Sequence, residues 1–103
     1  LFSLAATTAN AGCSDPAGPW VDWNGCDKPG ADLGGAWLRN ADLRNANLTG
    51  ATLIGASLFR ADLTGATLDS ADLTYADLSG AVLSGATWTD GRTCGEGSRG
   101  GCK

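Results

Sequence analysis

The stretch ADLTGATLDSADLTYADLSG, residues 61–80, decides how this chain folds. Alanine returns every fifth residue, at Ala61, Ala66, Ala71 and Ala76, and leucine does the same at Leu63, Leu68, Leu73 and Leu78. An α-helix turns about 100° per residue, so a five-residue period precesses about 140° per repeat and no face stays apolar. A continuous strand fails differently. Ala and Leu, two apart, share a face, but the next Ala lies three further on and changes sides. The pattern closes only if the chain turns a corner in every repeat, with the Ala and Leu of each short extended piece pointing inward. Glycine at the fifth place, as in Gly50, Gly55, Gly65, Gly80 and Gly85, supplies a permissive corner. That geometry is a β-solenoid, a stack in which each turn touches only its neighbours.

Outward from this stretch the alanine column is unbroken from Ala31 to Ala86 and the leucine column from Leu33 to Leu83, after which Trp88 takes the leucine place. Upstream the register persists in degraded form. Val21 and Cys26 stand for alanine and Trp23 for leucine, but Lys28 breaks the leucine column. The regular stack is therefore expected to start near Ala31.

The segment ADLRNANLTGATLIGASLFRADLTGATLDSADLTYADLSG, residues 41–80, resembles the pentapeptide-repeat proteins, with their A(D/N)LXX motif. The resemblance covers residues 31–90, and 21–30 in degraded form. It implies an all-β fold, a right-handed quadrilateral β-helix with four pentapeptides per coil. About three regular coils would fill residues 31–90. The expected organisation is an N-terminal extended segment at 1–12, a cap of degenerate repeats at 13–30, the β-helix at 31–90 and a cysteine-closed cap at 91–103.

With twenty residues per coil, residues twenty apart stack at about one strand spacing, ~4.8 Å. Asp22, Asp42 and Asp62 then form an acidic column. Such a column is a Ca²⁺ candidate, since that ion takes several oxygen ligands. The competing reading is that each carboxylate accepts local backbone N–H groups, as Asp does in turns. A second outward grouping is apolar and cationic. Trp37 and Phe59 fall on one face, one coil apart, with Arg39 under Phe59 and Arg60 at the corner. Ile54 and Tyr75 fall on the adjoining face. Contiguous exposed apolar area marks interaction sites, and Trp, Tyr and Arg are typical anchors.

Composition narrows the function. The net charge is −4 and there is no histidine, so a basic nucleic-acid surface is not expected. No apolar run is long enough to span a membrane. There is no nucleophile beside a base and no phosphate-binding loop, so neither catalysis nor a cofactor is expected. The four cysteines, Cys13, Cys26, Cys94 and Cys102, lie outside the repeats and form no C-x-x-C pair. Disulfides are the reading this favours, and they place the protein in an oxidising compartment, extracellular or periplasmic. Cys13–Cys26 and Cys94–Cys102 are the simplest pairs, because other connectivities would cross several coils, beyond the ~7 Å reach between bridged Cα atoms.

The opening LFSLAATTANAGC has two readings. One is the end of a secretory signal with an A-x-A site. The other is a docking strand, with Leu1, Phe2 and Leu4 added to a neighbouring subunit. The expected function is structural: an exported β-solenoid assembling head to tail into an extracellular filament, one protomer's edge continuing the next. The alternative is an exported monomeric or dimeric interaction module that uses the aromatic patch. Some members of the resembled family mimic duplex DNA and bind gyrase, but that role suits a longer and more acidic stack.

Overall fold

The computed structural model describes residues 12–103. Its backbone climbs in four-sided coils, held by parallel bridges between residues twenty apart. Side one stacks Asp22, Asp42, Asp62 and Val82, and side two Asp27, Asn47, Thr67 and Thr87. Side three stacks Asp32, Thr52 and Asp72, and side four Trp37, Ser57 and Asp77.

The five-residue motif explains each coil. At the corners an alanine N–H donates to the carbonyl of the leucine three residues before it, as from Ala46 to Leu43 (3.1 Å) and from Ala56 to Leu53 (3.0 Å). The residue before each alanine has positive φ at every corner from Trp20 to Gly85. An i→i+3 bond with positive φ at the third residue is the type II turn, which favours glycine at that place. Between corners the coils bond to one another: Leu43 N–H donates to Asp62 O (2.8 Å), Asn45 N–H to Thr64 O (2.9 Å) and Asp62 N–H to Ala41 O (2.9 Å).

Where Asp or Asn follows the alanine, it has its own task. Its carboxylate or amide oxygen accepts the outward N–H two residues on. Examples are Arg44 N–H to Asp42 (3.2 Å), Thr49 N–H to Asn47 (3.1 Å) and Thr64 N–H to Asp62 (3.1 Å). This Asx turn closes a backbone donor that the ladder leaves free.

Inside, the alanines and leucines of the central coils are fully buried. Each buried leucine contributes about 1.5–3 kcal/mol by leaving water. Alanine is the side chain that fits the corners of so narrow a bore.

The ladder begins at Asp22, not near Ala31. Trp23 and Cys26 occupy the inward leucine and alanine places and are buried as fully as the residues they replace. Lys28, which breaks the column in sequence, lays its amine 4.2 Å from the Trp23 ring centroid and donates to Cys13 O (2.7 Å). A lysine is tolerated in the leucine column because its stem packs while its head finds a carbonyl. Below it, Cys13 approaches Cys26 at disulfide distance (Cα–Cα 5.6 Å).

At the other end the chain reverses after Trp88. Thr93 bridges Thr87 and Arg99 bridges Val82, both antiparallel. Leu83 N–H donates to Ser98 O (2.9 Å) and Gly85 N–H to Cys94 O (3.1 Å). Ser98 is buried above Leu83, its hydroxyl donating to Gly95 O (2.8 Å) and accepting from Lys103 N–H (3.0 Å). Cys94 lies at disulfide distance from Cys102 (Cα–Cα 4.9 Å). This cap covers sides one and two only. Continuation of the ladder by a second copy, expected from the sequence at a protomer's edge, has no free edge on sides one and two at this end. Among the described residues, sides three and four end open at Ala71–Gly80.

Candidate functional site

Side four brings together three of the expected interface residues. Trp37 is in the outward place after Ala36, and Arg39 and Phe59 both follow an inward leucine, one coil apart. The guanidinium of Arg39 lies 5.0 Å from the Phe59 ring centroid, and that of Arg60 lies 6.0 Å away. Stacking on both flanks leaves Phe59 half-buried rather than exposed, which departs from the sequence expectation. Trp37 remains 63% exposed. Together with Ser57 and Asp77 these residues line a depression of ≈ 350 Å³. Hydrogen bonding to Ser79 holds the Asp77 carboxyl below the usual aspartate range, and the charge of Arg39 adds to this.

Ile54 and Tyr75 are exposed as expected, but neither lines this depression. Tyr75 stands at the corner between sides three and four with φ 62° and is 90% exposed. Sequence reasoning missed Trp20, and it put Ser57 and Asp77 in the outward column of Trp37 without counting them in the patch. Trp20 sits at a positive-φ corner below Asn40 and Arg60 and is 75% exposed. Counting the fifth-place register back by fives from Gly25 was the signal for it. Leu1, Phe2 and Leu4 lie outside the described residues.

The acidic column does not form a cation cage. Arg44 lies across it, its Nη2 2.8 Å from Asp42 Oδ2 and its Nε 4.0 Å from Asp62 Oδ2. The hydrogen bond from Arg44 holds Asp42 below its ordinary range and raises the guanidinium in return. The protein's own cation thus takes the place proposed for Ca²⁺. Among the described residues no group of three or more acidic, histidine or cysteine side chains is disposed to hold a metal.

The open end is the other distinctive surface. Among the described residues, the N–H groups of Leu73, Tyr75, Leu78 and Gly80 and the carbonyls of Ala71 and Ala76 have no backbone partner. Leu73, Ala76 and Leu78 are only half-buried, whereas Leu53 and Leu58 beneath them are sealed. Among the described residues no helix is long and apolar enough to cross a membrane.

The profile of the family described as Pentapeptide repeats matches residues 30–65 and 59–85, with eight copies. No curated protein matches the chain. Among solved structures, a pentapeptide repeat protein of Nostoc PCC 7120 is 38% identical, with a TM-score of 0.59 over 67% of this chain and 61% of that one. A pentapeptide repeat protein of the Arabidopsis thaliana thylakoid lumen is 45% identical over 62% of this chain and 44% of its own, with a TM-score of 0.31. HetL, involved in heterocyst differentiation regulation in Nostoc sp. strain PCC 7120, is 30% identical over 71% of this chain and 51% of its own, with a TM-score of 0.27. The chain thus spans less than two thirds of each of these proteins. The repeat, its type II corners and its twenty-residue ladder coincide with the matched residues, and the chain belongs to the pentapeptide-repeat family, whose members wind as right-handed quadrilateral β-helices.

Proposed function

We propose that the protein is an exported structural subunit that associates head to tail in the extracellular or periplasmic space. Proteins of this family are in general non-enzymatic structural or interaction proteins. The observation that carries the reading is the open half-edge at Ala71–Gly80. Unpaired strand edges recruit another strand. The strand that fits must offer carbonyls to Leu73, Tyr75, Leu78 and Gly80 and apolar side chains to the half-buried leucines. The N-terminal segment of a neighbouring copy, with Leu1, Phe2 and Leu4, has that character. The two cysteine pairs at disulfide distance support export, because such bonds persist in oxidising compartments.

The test is sedimentation velocity and electron microscopy of the full chain across a concentration series. Phe2→Asp with Leu4→Asp should abolish assembly and leave the far-UV spectrum unchanged. Leu73→Lys, which places a charge on the receiving edge, should do the same. Assemblies that persist in both variants refute the docking strand. The alternative, a module acting through the side-four patch, is favoured by the exposure of Trp37 above a preformed depression.

A further inference from the structure

We propose that the depression on side four is a binding site for a neutral saccharide. The floor is aromatic: the Trp37 indole is exposed and the Phe59 ring is fixed beneath Arg39. Three polar side chains with unused hydrogen-bonding capacity converge on this floor. Among the described residues, the Arg39 guanidinium and the Ser57 hydroxyl have no hydrogen-bond partner, and Arg39 has no ion pair. The Asp77 carboxylate is engaged by Ser79, whose N–H donates to Oδ1 (2.9 Å), and it keeps lone pairs for a further donor. The site thus offers a donor, an acceptor and a hydroxyl that is both, beside the exposed Trp37 indole, while the faces of Phe59 are taken by Arg39 and Arg60.

A ligand that uses all of these must have an apolar face ringed by groups that both donate and accept. A pyranose is such a molecule: its axial C–H bonds make one face apolar, and its hydroxyls radiate at the edge. Amphipathic aromatic rings suit such a face. Charge points the same way. Arg39 and Asp77 bring one positive and one negative charge to the lining, which favours a neutral ligand over an ionic one. The volume of ≈ 350 Å³ is at the low end for small-molecule sites. The lining is also preorganised, because Trp37, Ser57 and Asp77 are successive members of one bridged column. Little is lost in ordering them on binding.

An extended peptide suits the site less well. At Ser57 the ladder already pairs the backbone, so a peptide gains main-chain bonds only at the open edge of Leu78 and Gly80 and none beside Trp37 and Phe59. A proline-rich helix, which does dock on aromatic grooves, presents only acceptors from its prolyl backbone and leaves the Asp77 carboxylate without a donor.

The test is isothermal titration calorimetry of the full chain with neutral hexasaccharides (β-1,4-glucan, chitin-derived and α-1,4-glucan) and with decaproline. Saturable binding of at least one hexasaccharide is expected. Trp37→Ala should weaken it about tenfold or more, the scale of removing one anchor. Asp77→Ala should weaken it too, and Trp20→Ala, outside the depression, should leave it unchanged. Absence of saccharide binding, equal binding by the Trp37→Ala variant, or binding of decaproline instead overturns the proposal. Sedimentation of the Trp37→Ala variant separates this site from the end-to-end assembly, which rests on Leu73–Gly80 and should persist.

Discussion

At the residue scale the fifth place of each repeat is under conformational constraint. Gly50 and Gly65 have φ of 69° and 70°. A Cβ on Gly50 meets nothing within 4 Å, whereas one on Gly65 runs into Asn45 Oδ1. Both alanine variants suffer the left-handed penalty of about 1–2 kcal/mol, and only Gly65→Ala must also turn the Asn45 amide aside, a small added cost. Gly65→Ala should therefore lower the urea midpoint further than Gly50→Ala. Equal effects would refute the predicted collision of a Cβ with Asn45. A second residue-scale expectation concerns acid. Hydrogen bonds from Arg44, Thr74 and Ser79 hold Asp42, Asp72 and Asp77 respectively below the ordinary aspartate value of 3.8. Depressed folded values mean that this stabilisation is complete above 3.8 and is lost as pH falls through the lower folded values. Thermal unfolding should be level from neutral pH to about pH 5 and should decline below about pH 4. Asp72→Asn should flatten that decline, and a decline beginning near neutrality would contradict the assignment.

At the element scale each coil is a layer whose worth depends on having layers on both sides. Leu53 is sealed between coils, while Leu78 has no coil above it among the described residues. Leu53→Ala should cost about 2–5 kcal/mol, the range for emptying a buried leucine site. Leu78→Ala should cost distinctly less by the same denaturation measurement. Equal costs would mean that the last coil is covered in the isolated subunit. The inward place also tolerates substitutes by fit rather than identity. Trp23, Cys26 and the stem of Lys28 all serve where alanine or leucine is the rule.

At the scale of the whole molecule the two ends differ in kind from the shaft. Cys13 and Cys26, separated by 13 residues, and Cys94 and Cys102, separated by 8, lie at disulfide distance, and a bond in each pair would close a short loop. A disulfide across so short a loop contributes about 2–3 kcal/mol by restricting the unfolded chain. Peptide mass mapping without reductant should find these two bonds. Reduction should lower the melting temperature without abolishing the β-sheet signal, because the central coils rest on their own leucines. Collapse of the whole fold on reduction, or a bond between the two ends, would show that the pairs do more than close loops locally.

The sequence by itself determined the solenoid. A period of five admits no helix and no straight strand, and the same residues that exclude them specify the corner and the bore, while the twenty-residue coil came from the resemblance to the pentapeptide-repeat proteins. It also placed Trp37, Arg39 and Phe59 on one side, because stacking follows from arithmetic once the coil length is known. Tertiary structure alone decided the rest. The cap residues 93–100 have no repeat to betray that they run antiparallel over sides one and two, and so nothing in the sequence marked Ala71–Gly80 as an open edge. Whether the acidic column held a metal or an arginine depended on where the flexible side chain of Arg44 comes to rest, which periodicity does not encode. The partial burial of Phe59 has the same origin: it is set by two guanidinium groups that meet its ring only after the coils have stacked.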